Sequence, residues 1–193
     1  SEAAAQDVTV DYATSNATAT AGADYTATTG TVTILAGNTT QNFTVPVLAD
    51  TLDEVNETAT LTLSNASNAS ISDATGTLTI VDDDIPSLSI NDVSYTESGT
   101  GGNATFTVTL SEAAAQNVTV DYATSNATAT AGADYTATTG TVTTLTRNTT
   151  QNFTVPVLAD TLDEVNATAT LTLSNASNAS ISDATGPFTI FHY

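Results

Sequence analysis

Carboxylates are the side chains of this sequence that could do chemistry, and they occur in groups. In the first half, one Asp stands at position 24, four acids lie within residues 50–57, and an unbroken Asp run occupies residues 82–84. Oxygen ligands from several separate segments suit a hard cation such as Ca²⁺, which accepts six to eight oxygens at flexible geometry, whereas Mg²⁺ takes fewer protein ligands. The acids therefore predict a calcium site, provided that the fold brings the segments together.

Catalytic chemistry has little support in the residue types. His192 is the only His, and the sequence contains no Cys. Nucleophilic or general-base catalysis needs a base in the right pKa range beside a positioned partner in a shaped pocket. We therefore expect no enzyme and no catalytic residues, and without Cys we expect neither disulfides nor thiolate–metal chemistry.

An internal repeat decides the architecture that must position the acids. Residues 1–83 recur as residues 111–193 with ten substitutions, and residues 86–110 have no counterpart before Ser1. A period of about 100 residues corresponds to one β-sandwich domain, whereas helical solenoid repeats run to about 20–50. The sequence predicts two domains, a partial copy at 1–84 and a near-complete copy at 85–193. We expect it to be a piece of a longer repetitive protein.

Apolar residues alternate with Thr along short segments, as in Phe106, Val108 and Leu110, and this is the pattern of half-buried strands. Seven strands in about 105 residues are typical of an immunoglobulin-like sandwich. The predicted fold class is all-β, with tandem antiparallel sandwiches of seven strands, A to G, and a first copy that contains only C to G. In the second copy strands A to G are predicted at 87–96, 104–110, 118–125, 140–145, 151–158, 167–173 and 186–191.

Antiparallel topology places most of the acids at one end of each sandwich. Because successive strands alternate in direction, the A–B, C–D and E–F connections share one end with the end of strand G. Glu97 lies in A–B, Asp24 and Asp134 lie in C–D, and the E–F loops are acidic. Up to eight carboxylates would meet in the first copy, each pair repelling by roughly 0.7 kcal/mol at about 6 Å even in water. A bound cation would remove that repulsion.

The sequence resembles the Calx-beta domain. The resemblance covers essentially the whole chain and rests on three strings, namely VDYATSNATATAGADYT, GTVTILAGNTTQNFTVPVLADTLDEVNETATLTLSN and ATGTLTIVDDD. Calx-beta domains occur in sodium–calcium exchangers and, as tandem arrays, in bacterial surface proteins. The resemblance implies a calcium-binding β-sandwich whose ions sit at the tip facing the next domain.

Carried over residue by residue, the resemblance implies metal ligands in both copies. In the first copy the acidic positions of the family match Asp24, Asp50, Glu54, Glu57, Asp82, Asp83 and Asp84. In the second copy they match Glu97, Asp134, Asp160 and Glu164. Ala167 replaces Glu57, and residues 191–193 replace Val81, Asp82 and Asp83, so the second copy is expected to bind calcium weakly or not at all.

Charge restricts the partners. Twenty-one acids face one base, Arg147, which argues against nucleic acid and against insertion into an anionic membrane. Fourteen of the fifteen Asn residues precede x-Ser or x-Thr, so a glycosylating host could attach glycans there. The expected location is extracellular or at the cell surface, and the expected partners are neighbouring repeats or other copies of the protein.

Three functions fit these observations. The first is a structural or adhesive stalk of calcium-binding repeats, made rigid by Ca²⁺ at the domain junctions. The second is a filament subunit, because a sandwich without strands A and B leaves unpaired edges that a neighbouring copy could fill with donated strands. The third is a regulatory calcium sensor.

Overall fold

The computed structural model describes residues 2–97, 99–159, 161 and 164–192. Their regular elements are thirteen β-strands, and the chain divides into unit 1 (Ser1–Asp83) and unit 2 (Asp84–Tyr193). The predicted all-β sandwich class is confirmed. Within the described residues, no helix has the length and apolar character needed to cross a membrane.

Unit 1 is a single antiparallel sheet of four strands in the order β2-β1-β3-β4. The strands are β1 (Val8–Asn16), β2 (Thr29–Ile34), β3 (Glu57–Ser67) and β4 (Thr75–Ile80). They correspond to the predicted strands C, D, F and G. Alternation along β1 sends Val8 and Val10 inward, as period-two patterning requires.

Unit 2 is a sandwich of two sheets. Its strands are β5 (Ser87–Ile90), β6 (Val93–Thr96), β7 (Gly102–Leu110), β8 (Val118–Asn126), β9 (Thr139–Thr144), β10 (Thr150–Val157), β11 (Ala167–Ser177), β12 (Ser180–Ile181) and β13 (Thr185–Phe191). One sheet has the order β10-β7-β5-β12, and the other has the order β6-β13-β11-β8-β9. Pairing is antiparallel except for β5 with β12 and β6 with β13.

The predicted strand A is split between the two sheets. β5 pairs with β7, whereas β6 pairs in parallel with β13. The break falls at Asn91 and Asp92, residue types that favour turns. The side-chain oxygen of Asn91 accepts a 2.6 Å hydrogen bond from the Thr107 N–H. The split brings the end of β6 beside the end of β13, which positions Glu97.

The prediction that residues 1–84 form strands C to G is wrong for strand E. In unit 2 strand E is β10, which pairs along its whole length with β7, from Thr150↔Thr109 to Val157↔Gly102. Among the described residues of unit 1, no strand corresponds to β7. Residues 41–46 accordingly join no sheet, and only Val47 forms an isolated bridge, to Tyr25.

The two units differ in how far their matching residues are buried. Val157 is 4% exposed in unit 2, whereas its equivalent, Val47, is 51% exposed in unit 1. Phe106 of β7 fills the centre of the unit 2 core and contacts the rings of Phe153 and Phe188. The central core cluster of unit 1 contains only Ala19, Tyr25 and Ala59.

An open groove of about 300 Å³ lies on the unit 1 sheet. Its apolar walls include Phe43, Val45, Leu61 and Leu78. The equivalents of Val45, Leu61 and Leu78 are Val155, Leu171 and Phe188, which are at most 1% exposed in unit 2. The groove is therefore the face that β5 and β7 cover in the complete sandwich.

Candidate metal centre

A tight turn fixes the first carboxylate of unit 1. Gly22 adopts φ +93°, a conformation that favours glycine, and the turn is anchored by fully buried Tyr25, whose hydroxyl donates to Oδ1 of Asn16 at 2.7 Å. Oδ2 of Asp24 accepts a 2.6 Å hydrogen bond from the Thr20 N–H. Asp24 is thereby held in place by local backbone geometry.

The remaining acids of unit 1 come from the segment before β3 and from the end of β4. Glu57 is the first residue of β3 and lies opposite Ile80 of β4. Glu54 precedes it in the connecting segment. The Asp82 N–H donates to Oδ1 of Asn56 at 3.0 Å, so the chain after β4 runs beside this connection.

Three carboxylates converge. One oxygen each of Asp24, Glu54 and Glu57 lie within 4.8 Å of one another. Ca²⁺–oxygen distances are about 2.3–2.6 Å, so two ligands of one ion lie up to about 5 Å apart. The spacing and the all-oxygen donor set fit Ca²⁺.

The electrostatics of the cluster also favour a cation. The pKa of the Glu54 carboxyl is raised. The largest cause is loss of solvent around the group, and the smaller causes are the negative charges of Asp24, Asp50 and Asp82. Loss of solvent also raises the pKa of Glu57, together with a side-chain hydrogen bond to Asp24 and the charges of Asp24 and Glu54. Besides loss of solvent, the raised pKa values reflect the repulsion among these carboxylates, which a bound cation would relieve.

The other predicted ligands of unit 1 stand outside this group of three. Asp50 and Asp82 are near enough for their charges to act on Glu54, and Oδ1 of Asp50 accepts a hydrogen bond from the Leu52 N–H at 2.8 Å. Asp83 does not belong to the group of three, and Asp84 falls in unit 2.

In unit 2 two of the predicted acids lie beside a residue that was not predicted as a ligand. Asp134 and Glu164 group with His192, and Nδ1 of His192 lies 2.5 Å from Oε2 of Glu97. Asp160 lies outside the described residues. The repeat alignment could have identified His192, because this residue occupies the position of Asp82 in the first copy.

The raised pKa values predict a pH dependence of stability. A carboxyl whose pKa is higher in the folded state than in the unfolded state stabilises the fold when protonated. That contribution is complete below the ordinary Glu value of 4.5 and is lost as pH rises through the raised values. With a chelator, we expect the free energy of unfolding of unit 1 to fall between about pH 4.5 and neutrality.

Calcium should abolish that decline by replacing the protons. The measurement is denaturant unfolding at several pH values with chelator and with Ca²⁺, followed by a signal specific to β3. Asp11 does not obscure the result. Hydrogen bonds from Thr31 and Asn65 lower the pKa of its carboxyl, so its contribution to the free energy of unfolding is lost only below about pH 3.8. A stability of β3 that rises over this pH range in chelator would contradict the prediction.

Comparison with known proteins bears on this geometry. The Calx-beta domain model matches residues 1–84 and 81–186. The crystal structure of CBD12 from CALX1.2 is similar at a TM-score of 0.51 and 19% identity, with 96% of this chain and 88% of that chain covered. The crystal structure of the apo-form Calx CBD1 domain is similar at a TM-score of 0.49 and 17% sequence identity, with 56% of this chain and 97% of that chain covered. At these identities the likeness shows the fold alone. No curated protein is significantly similar in sequence.

Proposed function

The chain belongs to the Calx-beta domain family, and from that premise we propose that it is a non-enzymatic calcium-binding module whose stronger site lies in unit 1. The observation that carries the proposal is the convergence of Asp24, Glu54 and Glu57 within 4.8 Å. Asp24 lies in the turn after β1, Glu54 in the segment before β3 and Glu57 at the start of β3. Ca²⁺ would offset the mutual repulsion of these carboxylates.

Calorimetric titration of the full chain with Ca²⁺ tests the proposal. We expect Asp24→Asn to weaken the tightest binding at least about tenfold, because it removes one charged ligand from a site whose affinity depends on ligand charge. The matched variant Asp134→Asn changes the equivalent residue of unit 2 and should leave the tightest binding unchanged. Equal losses in the two variants would overturn the assignment to unit 1.

In its biological setting, the module is proposed to be part of an extracellular or cell-surface stalk with a structural or adhesive role. The support is the tandem repeat, the acidic surface and the short connection between units. Asp82 acts electrostatically on the cluster of unit 1, and β5 begins at Ser87. A cation that fixes residues 82–84 would leave only Ile85 and Pro86 free before the next strand.

Rigidity of that junction is measurable. Small-angle scattering should show a longer and narrower particle with Ca²⁺ than with chelator, because fewer backbone torsions remain free between the units. Asp24→Asn serves as the control, since it should remove the difference at the same calcium concentration. Superimposable profiles for the wild-type chain in both conditions would leave the acids as surface charge only.

A second candidate function is a filament subunit assembled by strand donation. The observation that favours it is the open groove of unit 1, walled by Phe43, Val45, Leu61 and Leu78. Strands β5 and β7 cover the equivalent face in unit 2, so the occupant we propose is the segment that contains them, residues 86–110, from a second copy of the chain. Main-chain pairing with residues 42–47 would supply affinity, and the side chain of Phe106 would supply the fit.

A further inference from the structure

His192 holds the repeat position of Asp82 but has a different environment. Its side chain is 2% exposed, and Nε2 makes no hydrogen bond within the described part of the chain, whereas Nδ1 faces Glu97. Buried polar nitrogens are normally hydrogen-bonded, so such an exception calls for an unseen partner. The surroundings of the ring show what kind of partner it is.

The ring lies among carboxylates. One ring nitrogen of His192 and one oxygen each of Asp134 and Glu164 lie within 4.8 Å of one another. Oε2 of Glu97, whose side chain is 9% exposed, lies 2.5 Å from Nδ1. A nitrogen and a carboxylate oxygen this close share a proton, which leaves Nε2 as the ring nitrogen that can bind a metal ion.

The backbone fixes these donors independently of one another. Parallel pairing of β6 with β13 continues in a 2.9 Å hydrogen bond from the Glu97 N–H to the Phe191 carbonyl. The His192 N–H donates to Oδ1 of Asn166 at 3.3 Å. Asp134 is set by its own turn, in which Oδ2 accepts from the Thr130 N–H at 2.5 Å. The donor set is therefore assembled by three separate segments.

The chemistry of the donors differs from that of unit 1. Ca²⁺ binds oxygen almost exclusively and needs six to eight ligands. Unit 2 has lost three of the predicted ligand carboxylates, since Ala167, His192 and Tyr193 replace Glu57, Asp82 and Asp83, and one of the replacements is an imidazole. Imidazole with two carboxylates matches Zn²⁺, which prefers about four nitrogen or oxygen ligands at about 2.0–2.2 Å.

We propose that unit 2 contains a zinc site formed by His192, Asp134 and Glu164, with Glu97 beside the imidazole. Glu97 orients the ring through its contact with Nδ1, as carboxylates beside metal-bound His commonly do. The site does not depend on calcium binding by unit 1. The competing interpretation is a protonated His192 paired with Glu97 and no metal.

The test uses the full chain with Zn²⁺ in the presence of excess Ca²⁺, which saturates oxygen-only sites. Because the sequence has a single His, the ¹⁵N signals of its ring report on His192 without ambiguity. We expect one equivalent of Zn²⁺ to shift one ring nitrogen to the metal-bound range. Ring signals that do not change with Zn²⁺ would overturn the proposal and leave the ion pair with Glu97.

Variants with matched controls give a second measurement. His192→Asp restores the residue found at this position in unit 1, and we expect it to weaken Zn²⁺ binding about 100-fold, within the effect range of metal-site substitutions. Asp183→Asn removes an acid near the start of β13, far along the strand from His192, and should have no effect. Unchanged zinc affinity in His192→Asp, with an unperturbed amide spectrum, would also overturn the proposal.

Discussion

Leu171→Ala is expected to lower the free energy of unfolding of unit 2 by about 3 kcal/mol, whereas the same change at the equivalent Leu61 should cost unit 1 about 1 kcal/mol or less. Leu171 is fully buried at the centre of β11. Its truncation removes buried methyl groups and leaves a cavity that a packed core cannot close. Leu61 is only half-buried and lines the open groove, so solvent already reaches its side chain.

Amide hydrogen exchange of the full chain measures both effects in one molecule. β3 and β11 differ at their first residue, and β4 differs from β13 at two positions, so their signals are separable. Each variant serves as the control for the other because the substitution and the neighbouring sequence are the same. Equal losses of protection in the two units would show that the open face of unit 1 is closed in solution.

Addition of a peptide comprising residues 86–110 is expected to protect the backbone of residues 42–47 by about 100-fold at a peptide concentration of about 100 Kd, where ligand binding stabilises the bound state by about 2.7 kcal/mol. In unit 2 the matching residues are ordered by β7, with Phe153 opposite Phe106 and Val155 opposite Ala104. The same pairing in trans would convert residues 42–47 into a strand.

The control peptide carries Phe106→Asp. Phe106 is fully buried in the core of unit 2. A charged residue at this position of the peptide would therefore have to be buried in the groove of unit 1. We expect this peptide to give no protection, while the exchange of β11 stays the same with either peptide. If the wild-type peptide leaves residues 42–47 unprotected, strand donation to unit 1 is excluded, and with it the filament hypothesis.

Local pattern was sufficient to predict most strands. The alternation along 118–125 and 167–173 predicts β8 and the body of β11, because period-two patterning survives in any sheet that buries one face. The segment at 41–48 has the same alternation as β10, yet it joins no sheet. A strand also needs a neighbour to satisfy its backbone, and that information lies outside the segment itself.

The acidic sites were also predictable only in part, because some of their contacts depend on neighbouring strands. Topology predicted that the turn at Asp24 and the segment before β3 would meet, and the structure brings Asp24, Glu54 and Glu57 together. His192 was missed because a single His carries no motif. Its meaning depends on burial and on the neighbouring Glu97, and that neighbour arises from the split of the predicted strand A between two sheets.

The position of residues 86–110 between two nearly identical sequences creates a choice during folding. The segment can complete the sequence that follows it, as in unit 2, or the sequence that precedes it, which would give a circular permutant of the same sandwich. Phe188, which stands where the first repeat has Leu78, makes an edge-to-face contact with Phe106 at a ring-centroid distance of 5.9 Å. This contact favours completion of unit 2, so a substitution between the repeats contributes to the choice of partner.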